Sequence, residues 1–298
     1  MFAAGLPLLY LPVVVWAATG LAVLAAGRGP GGTLYLRLSA AFFALWALLA
    51  TTTLVYVVAR GGGSAIAALL AHPDLLFAPA AAPFWAAGAL GAGLVLTIGF
   101  ILNQLVGRAI LRTLAPRPLV WPRRLPRPAT PTRLERFASE RPEAFSFTLL
   151  VRPRGPAGPI RRQEVILVSD ALLGLLTTEE REAVIAHELG HLHALDSRYL
   201  TFLRTCARLL RWDPVVALIA RSVTRHEELR ADRVAVELTG RPRALVSALQ
   251  KVAGCAPALP GPTALGFLGA SRWRRPAHTE DRIRRLLERS GDPAPERP

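Results

Sequence analysis

Thr178-Glu-Glu-Arg-Glu-Ala-Val-Ile-Ala-His-Glu-Leu-Gly-His-Leu192 is the stretch that decides how this chain is read. Two acids stand where a helix would begin, at the end its macrodipole favours for negative charge. Ala183, Val184, Ala186, Leu189 and Leu192 carry a helical pattern through the rest. Residues four apart share a helix face, so His187 and His191 can aim imidazole nitrogens at one metal ion. Glu188 is rotated by one residue and poorly placed as a further ligand, yet it can reach a water held by that ion. Zinc lowers the pKa of such a water to about 7, and a neighbouring carboxylate can take its proton and pass it to a leaving amine. Glu188 is therefore the candidate catalytic base.

A catalytic zinc needs a third protein ligand and one open position. Glu228-Leu-Arg-Ala-Asp232 supplies a second helical pair four residues apart. Glu228 is the expected third ligand, and Asp232 the partner that accepts a hydrogen bond from the far nitrogen of a ligand histidine. Glu227 competes with Glu228, but the spacing to Asp232 favours Glu228. His193 and His226 fall on other helix faces and are expected to be solvated or packed. His72 lies in a predicted outer loop. One Zn2+ per chain is expected.

Working outward, hydrophobic residues make up 52% of the 298 and mean hydropathy is +0.33. The excess sits in three long apolar segments at about 8–26, 38–59 and 83–106. Each approaches the roughly 20 residues that cross a hydrocarbon core as helix. Gly88, Gly91 and Gly93 suit close helix packing in lipid. The start of the chain lacks a basic region and a clear cleavage site, so the first segment reads as a retained span. Arginines crowd after the third, at Arg108, Arg112, Arg117, Arg123, Arg124 and Arg127, which predicts that side to be cytoplasmic. The expected location is the cell membrane, multi-pass, with the catalytic part in the cytoplasm.

The net charge is +15 and Lys251 is the only lysine. One-sided arginine usage of this kind reflects base composition more than a selected nucleic-acid surface. No aromatic-interleaved basic motif or zinc-finger spacing is present, so anionic lipid heads, not nucleic acid, are the expected counter-charge. Cys206 and Cys255 are too few for a disulfide framework or a Cys-rich metal site. Residues 115–131, rich in Pro and Arg, read as a stiff linker. A short helix is expected over Leu134–Ser139. Strands are expected over Phe145–Arg152 and Glu164–Ser169. Residues 197–225 must leave and return to one side of the membrane, because both ligand helices meet one ion. Too short for two spans, they predict a helical hairpin of Tyr199–Arg211 and Pro214–Thr224, dipping into the interface or simply soluble.

Beyond the zinc motifs, Val168-Ser-Asp-Ala-Leu-Leu, Glu228-Leu-Arg-Ala-Asp-Arg, Glu237-Leu-Thr-Gly, Ala244-Leu-Val-Ser-Ala-Leu-Gln-Lys and His278-Thr-Glu-Asp-Arg-Ile-Arg-Arg-Leu carry a resemblance. Over about residues 143–288 the chain resembles the HtpX-type and CAAX prenyl endopeptidase family of membrane zinc metalloproteases, which are gluzincins. That resemblance implies a zinc endopeptidase acting on membrane or misfolded proteins. It also implies that His278 and Arg282 contact the oxyanion or the substrate. The chain departs from the family in having Thr279 where Pro is expected, a short insert between the zinc motifs, and a different layout of leading spans. The BlaR/MecR-type antirepressor peptidases are a second resemblance, echoed by Trp212-Asp-Pro214.

The fold expected is mainly α. Three transmembrane helices within 1–114 would precede the linker. A cytoplasmic α+β zincin domain with a small sheet would follow over 132–290, then a tail over 291–298. The expected partners are a protein or peptide substrate and a lipid membrane; nothing in the sequence sets an oligomeric state. The rival functions are a repressor-cleaving regulator and a non-catalytic zinc-binding membrane scaffold.

Overall fold

A computed structural model describes residues 32–72, 75, 79–152, 159–192, 214–255 and 276–290. The first expected span, the Tyr199–Arg211 arm of the hairpin, His193, Cys206 and the 291–298 tail lie outside the described residues. The chain divides into two compact units. One comprises Met1–Leu102 with Arg198–His226, and the other Asn103–Ser197 with Glu227–Pro298.

In the first unit, helix α1 (Gly32–Ala59) leads through a glycine turn into α2 (Gly63–Ala71), and a 3-10 turn opens α3 (Ala82–Leu114). Gly61 and Gly62 take positive φ there, the region open to a residue without Cβ. α1 and α3 touch backbone to backbone at Gly88, where a Cβ would lie 2.7 Å from Thr52 Cα. Thr51 Oγ1 donates to Gly88 O at 2.8 Å across the same contact. Tyr56 and Phe84 pack edge to face with ring centroids 5.0 Å apart. The Arg60 guanidinium sits over both rings. Leu45, Leu54, Val58, Leu90 and Leu94 are exposed. Among the described residues no helix is long and apolar enough to cross a membrane. The spans expected at 38–59 and 83–106 fall on α1 and α3.

The second unit is built on a four-stranded mixed sheet of β1 (Arg117–Pro118), β2 (Thr132–Phe137), β3 (Ala144–Val151) and β4 (Arg161–Ser169). Its order is β1-β2-β4-β3. β2 runs parallel to β4, with Leu134 opposite Ile166. β3 runs antiparallel to it, with Ser146 opposite Ile166. The two strands expected from sequence are therefore β3 and β4. The helix expected over Leu134–Ser139 is instead mostly β2. Its six residues, Thr-Arg-Leu-Glu-Arg-Phe, are too few to nucleate a helix in water, and pairing with β4 satisfies their backbone.

Both sheet faces are covered, which is why β3 and β4 read as near-continuous apolar runs. Phe137, Phe145, Phe147, Leu149, Val165 and Leu167 form one face, packed with Ile110 from the end of α3. Leu134, Ala144, Ile166 and Val168 form the other. They join the core of α5 (Thr178–Leu192), α7 (Pro242–Gly254) and α8 (Pro276–Ser290). A short helix, α4 (Asp170–Leu175), links β4 to α5 and is capped by Ser169, whose Oγ accepts from Leu172 N at 3.1 Å. Leu119, Trp121 and Leu125 of the Pro/Arg-rich segment pack into this core as well. α6 (Pro214–Thr239) is one continuous 26-residue helix; its opening turns are the expected second arm of the hairpin, and the same helix runs on through Glu228 and Asp232.

α5 starts on a reciprocal cap. Thr177 Oγ1 accepts from Glu180 N at 3.3 Å, and Glu180 Oε2 accepts from Thr177 N at 2.8 Å. Glu180 also accepts from Ser247 Oγ at 2.6 Å and Lys251 Nζ at 2.7 Å, tying α7 to the start of α5. Burial alone would raise the Glu180 carboxyl, but the Lys251, Ser247 and Thr177 hydrogen bonds outweigh it and hold it below its ordinary 4.5. A carboxyl depressed on folding contributes stability above its unfolded value that is lost as pH falls through the folded one. Lys251→Met should therefore lower unfolding stability by about 1 kcal/mol at neutral pH, Lys251 being partly solvated. Denaturant titrations across pH should show the gap between wild type and variant closing below about pH 4. A gap that widened in acid would contradict this coupling.

Candidate metal centre

α5 presents His187, Glu188 and His191 from one buried stretch, and α6 brings Glu228 and Asp232 to it. The approach depends on Gly190. A Cβ there would stand 2.8 Å from Ala231 Cα and 3.1 Å from Ala231 Cβ, so only glycine lets the two helix backbones come this close. Arg230 Nη2 donates to Gly190 O at 2.7 Å and also meets Glu227 Oε2 at 3.3 Å. That ion pair occupies the buried Glu227, the competitor for Glu228.

His187, His191 and Glu228 are all buried and offer three ligand atoms within 4.8 Å of one another. His187 Nε2 and His191 Nε2 lie 3.1 Å apart, with the rings nearly perpendicular at 87°. Glu228 Oε2 is 3.4 Å from His187 Nε2, and Glu228 Oε1 is 3.6 Å from His191 Nε2. Tetrahedral ligands about 2.1 Å from a zinc stand about 3.4 Å from each other. The three measured separations bracket that value. Glu188, Glu228 and Asp232 also set three buried acids against one guanidinium, an excess that a divalent cation offsets. The residues present fit such an ion.

The guanidinium is Arg282, brought by α8. Its Nε donates to Asp232 Oδ2 at 2.8 Å and its Nη2 to Asp232 Oδ1 at 2.6 Å, while Nη1 is 3.2 Å from Glu228 Oε2. Asp232 Oδ1 also lies 2.9 Å from His187 Nδ1. Burial works against charge on every member of this group. For Asp232 it raises the carboxyl pKa, but the Arg282 charge and hydrogen bonds, aided by His187, hold it below the usual range. For His187 burial pulls the pKa down, but hydrogen bonds to Asp232 and Glu228 carry the net shift upward. For Arg282 burial likewise disfavours the charge, yet Asp232 first and Glu228 next keep it firmly protonated.

Glu188 is 2% exposed and accepts from Ser146 Oγ at 2.8 Å through Oε2. Ser146 thus links β3 to the candidate base. Of the residues the resemblance adds, Arg282 joins the cluster. His278 lies in the first turn of α8, its side chain outside the described part of the structure. His72 and His226 are not in the ligand group. Sequence reasoning missed the parts played by Ser146, Gly190 and Arg230. Gly190 carried a signal, since a glycine inside a helical pattern marks a close approach. Ser146, in an apolar strand, carried none.

Two outcomes follow from this packing. Gly190→Ala should push α6 outward and weaken divalent-metal binding by roughly tenfold or more, as loss of supporting contacts does elsewhere; competition with a chromogenic chelator measures it, and unaltered affinity would refute the close-approach argument. Arg282→Met should destabilise the fold by about 3 kcal/mol or more, because it strands two buried carboxylates. Chemical denaturation tests this, and a neutral result would mean those carboxylates find water.

Residues 157–290 match peptidase family M48. Plastoglobule-localized metallopeptidase 48 of Arabidopsis thaliana is 31% identical over 131 residues, covering 41% of this chain and 36% of that protein. Protease HtpX homolog 2 of Methanosarcina mazei is 30% identical over 136 residues, covering 35% of this chain and 46% of the relative. Protease HtpX homolog 1 of Streptomyces coelicolor is 34% identical over 123 residues, covering 30% and 40%. The chain spans less than half the length of each of these relatives. No solved structure is significantly similar. The matched stretch contains the whole cluster from His187 to Arg282, and over it the chain is similar to peptidase family M48 and to proteases of the HtpX type.

Proposed function

We propose that this chain is a membrane-bound zinc metalloendopeptidase that hydrolyses peptide bonds of membrane-associated or misfolded proteins. The observation that carries the reading is the buried triad of His187, His191 and Glu228 with Glu188 beside it. Two imidazoles and one carboxylate are the ligand set of hydrolytic zinc sites. When bound there, the ion supplies Lewis acidity that polarises a carbonyl and acidifies a water. Everything else falls to the chain's own groups.

Glu188 takes the proton from the attacking water on its carboxylate and delivers it to the leaving amine nitrogen. Ser146, donating to Glu188 Oε2, fixes the carboxylate's rotamer. Asp232 accepts from His187 Nδ1, which leaves Nε2 as the ligating atom. Arg282 holds Asp232 and Glu228 in register through three nitrogens. The family resemblance assigns Arg282 and His278 to the oxyanion or substrate as well. An extended peptide pairs with an edge of the small sheet, main chain to main chain.

Membrane attachment in this reading rests on the amino-terminal helices. α1 holds one charge, Arg37, in 28 residues, and α3 carries none before Arg108. Their exposed leucines and Val58 form the kind of apolar surface that soluble proteins keep small. The arginines after α3 favour the cytoplasmic side for the peptidase domain.

Two measurements test the function. Glu188→Gln should keep a full complement of zinc while casein cleavage falls by about a hundredfold or more; equal cleavage by both proteins would remove Glu188 from the chemistry. The full chain should also stay with the membrane pellet after washes in high salt and alkaline carbonate. Release by either wash would leave the domain a peptidase but not a membrane-embedded one.

A further inference from the structure

Gly190 stands between the two ligand histidines, and apart from proline no residue supports a helix less well. The turn that carries His187 and His191 is therefore weak by itself. Its contact with Ala231 brings the backbones of α5 and α6 together, but the attraction of apolar atoms has no preferred direction. That contact alone leaves α6 free to turn about its axis and carry Glu228 away from the imidazoles. A hydrogen bond does have direction, and one lies beside the contact. Arg230 Nη2 donates to Gly190 O at 2.7 Å. Arg230 and Ala231 are consecutive, so Gly190 is met twice, from neighbouring positions on α6.

Arg230 is itself held. Its Nη2 lies 3.3 Å from Glu227 Oε2, about one turn earlier on α6. Glu227 is 2% exposed and lies outside the ligand triad. Among the described residues Arg230 is its one polar partner, and its Oε1 has none. A buried ion pair of this kind adds little to stability, and its better-attested use is to fix one arrangement of the chain over others. The arrangement fixed here is the guanidinium against Gly190 O.

We propose that Arg230, braced by Glu227, is a positioning residue of the metal centre, which sets the rotation of α6 on α5 so that Glu228 meets both imidazoles. Neither residue touches the ion; both act through Glu228. The inference rests on the metal-binding half of the reading above and is independent of the peptide chemistry.

The test measures Zn2+ affinity of the full chain in detergent by competition with a chromogenic chelator. The variants are Arg230→Met and the double Glu227→Gln/Arg230→Met, which strands no charge and so guards against a variant that fails to fold. Each is also made in a Glu228→Ala background. With Glu228 present, both variants should bind Zn2+ roughly tenfold more weakly, the usual cost of a lost support. With Glu228 already gone, the same changes should cost about twofold or less, since there is no third ligand left to misplace. Unaltered affinity in the double variant would overturn the proposal, because any loss in Arg230→Met then comes from a stranded Glu227. An equal loss with and without Glu228 would overturn it as well, showing a general structural role. If wild type binds no Zn2+, the metal-centre reading itself fails and the positioning role falls with it; if wild type binds and only the variants behave as wild type, the metal centre stands and the positioning role alone is lost.

Discussion

The contact of Gly190 with Ala231 is the constraint on which the site depends. Two helices that met through ordinary side chains would have axes 8–10 Å apart, and a carboxylate on one would have to stretch toward histidines on the other. Here the backbones touch, so Glu228 meets both imidazoles with its carboxylate, and Asp232 reaches His187 from one turn later. The Arg230 bond to Gly190 O then fixes the rotation of α6 about its axis. A larger residue at 190 would pull the candidate ligands apart without removing any of them.

The second organising fact is how much charge is buried around that contact. His187, Glu188, Glu228, Asp232 and Arg282 are each nearly inaccessible. Burying such groups costs several kcal/mol apiece unless each is paired in good geometry. The pairing is supplied by three separate helices and one strand. The sheet is the stage for it. Its apolar faces hold α3 on one side and the α5 core on the other, so Ser146 can point from β3 into the site at a fixed height.

The core of the site was legible because a helix repeats every 3.6 residues, and the gap of four in His187–His191 and in Glu228–Asp232 survives any tertiary context. The pairing of Glu227 with Arg230 was not, since it depends on where Gly190 O falls. Arg282 emerged only through family resemblance; nothing in Glu-Asp-Arg-Ile-Arg-Arg distinguishes one arginine from its neighbours until α8 packs. β2 was misread because its short, mixed sequence has no periodicity strong enough to outweigh the partner strand that decides it. The strands β3 and β4 were legible for the opposite reason, being apolar on both faces. Ser146 gave no signal at all, being a serine in an apolar strand.

Arg282 stands 95 residues after His187 in the chain. During synthesis the two histidines and Glu228 leave the ribosome well before the guanidinium that neutralises their carboxylate neighbours. Until α8 has been made and has docked, Asp232 and Glu228 lack their counter-charge, and the His187 tautomer lacks a fixed partner. The order of the chain thus sets the order in which the charges of the cluster can be balanced, with α8 closing it last.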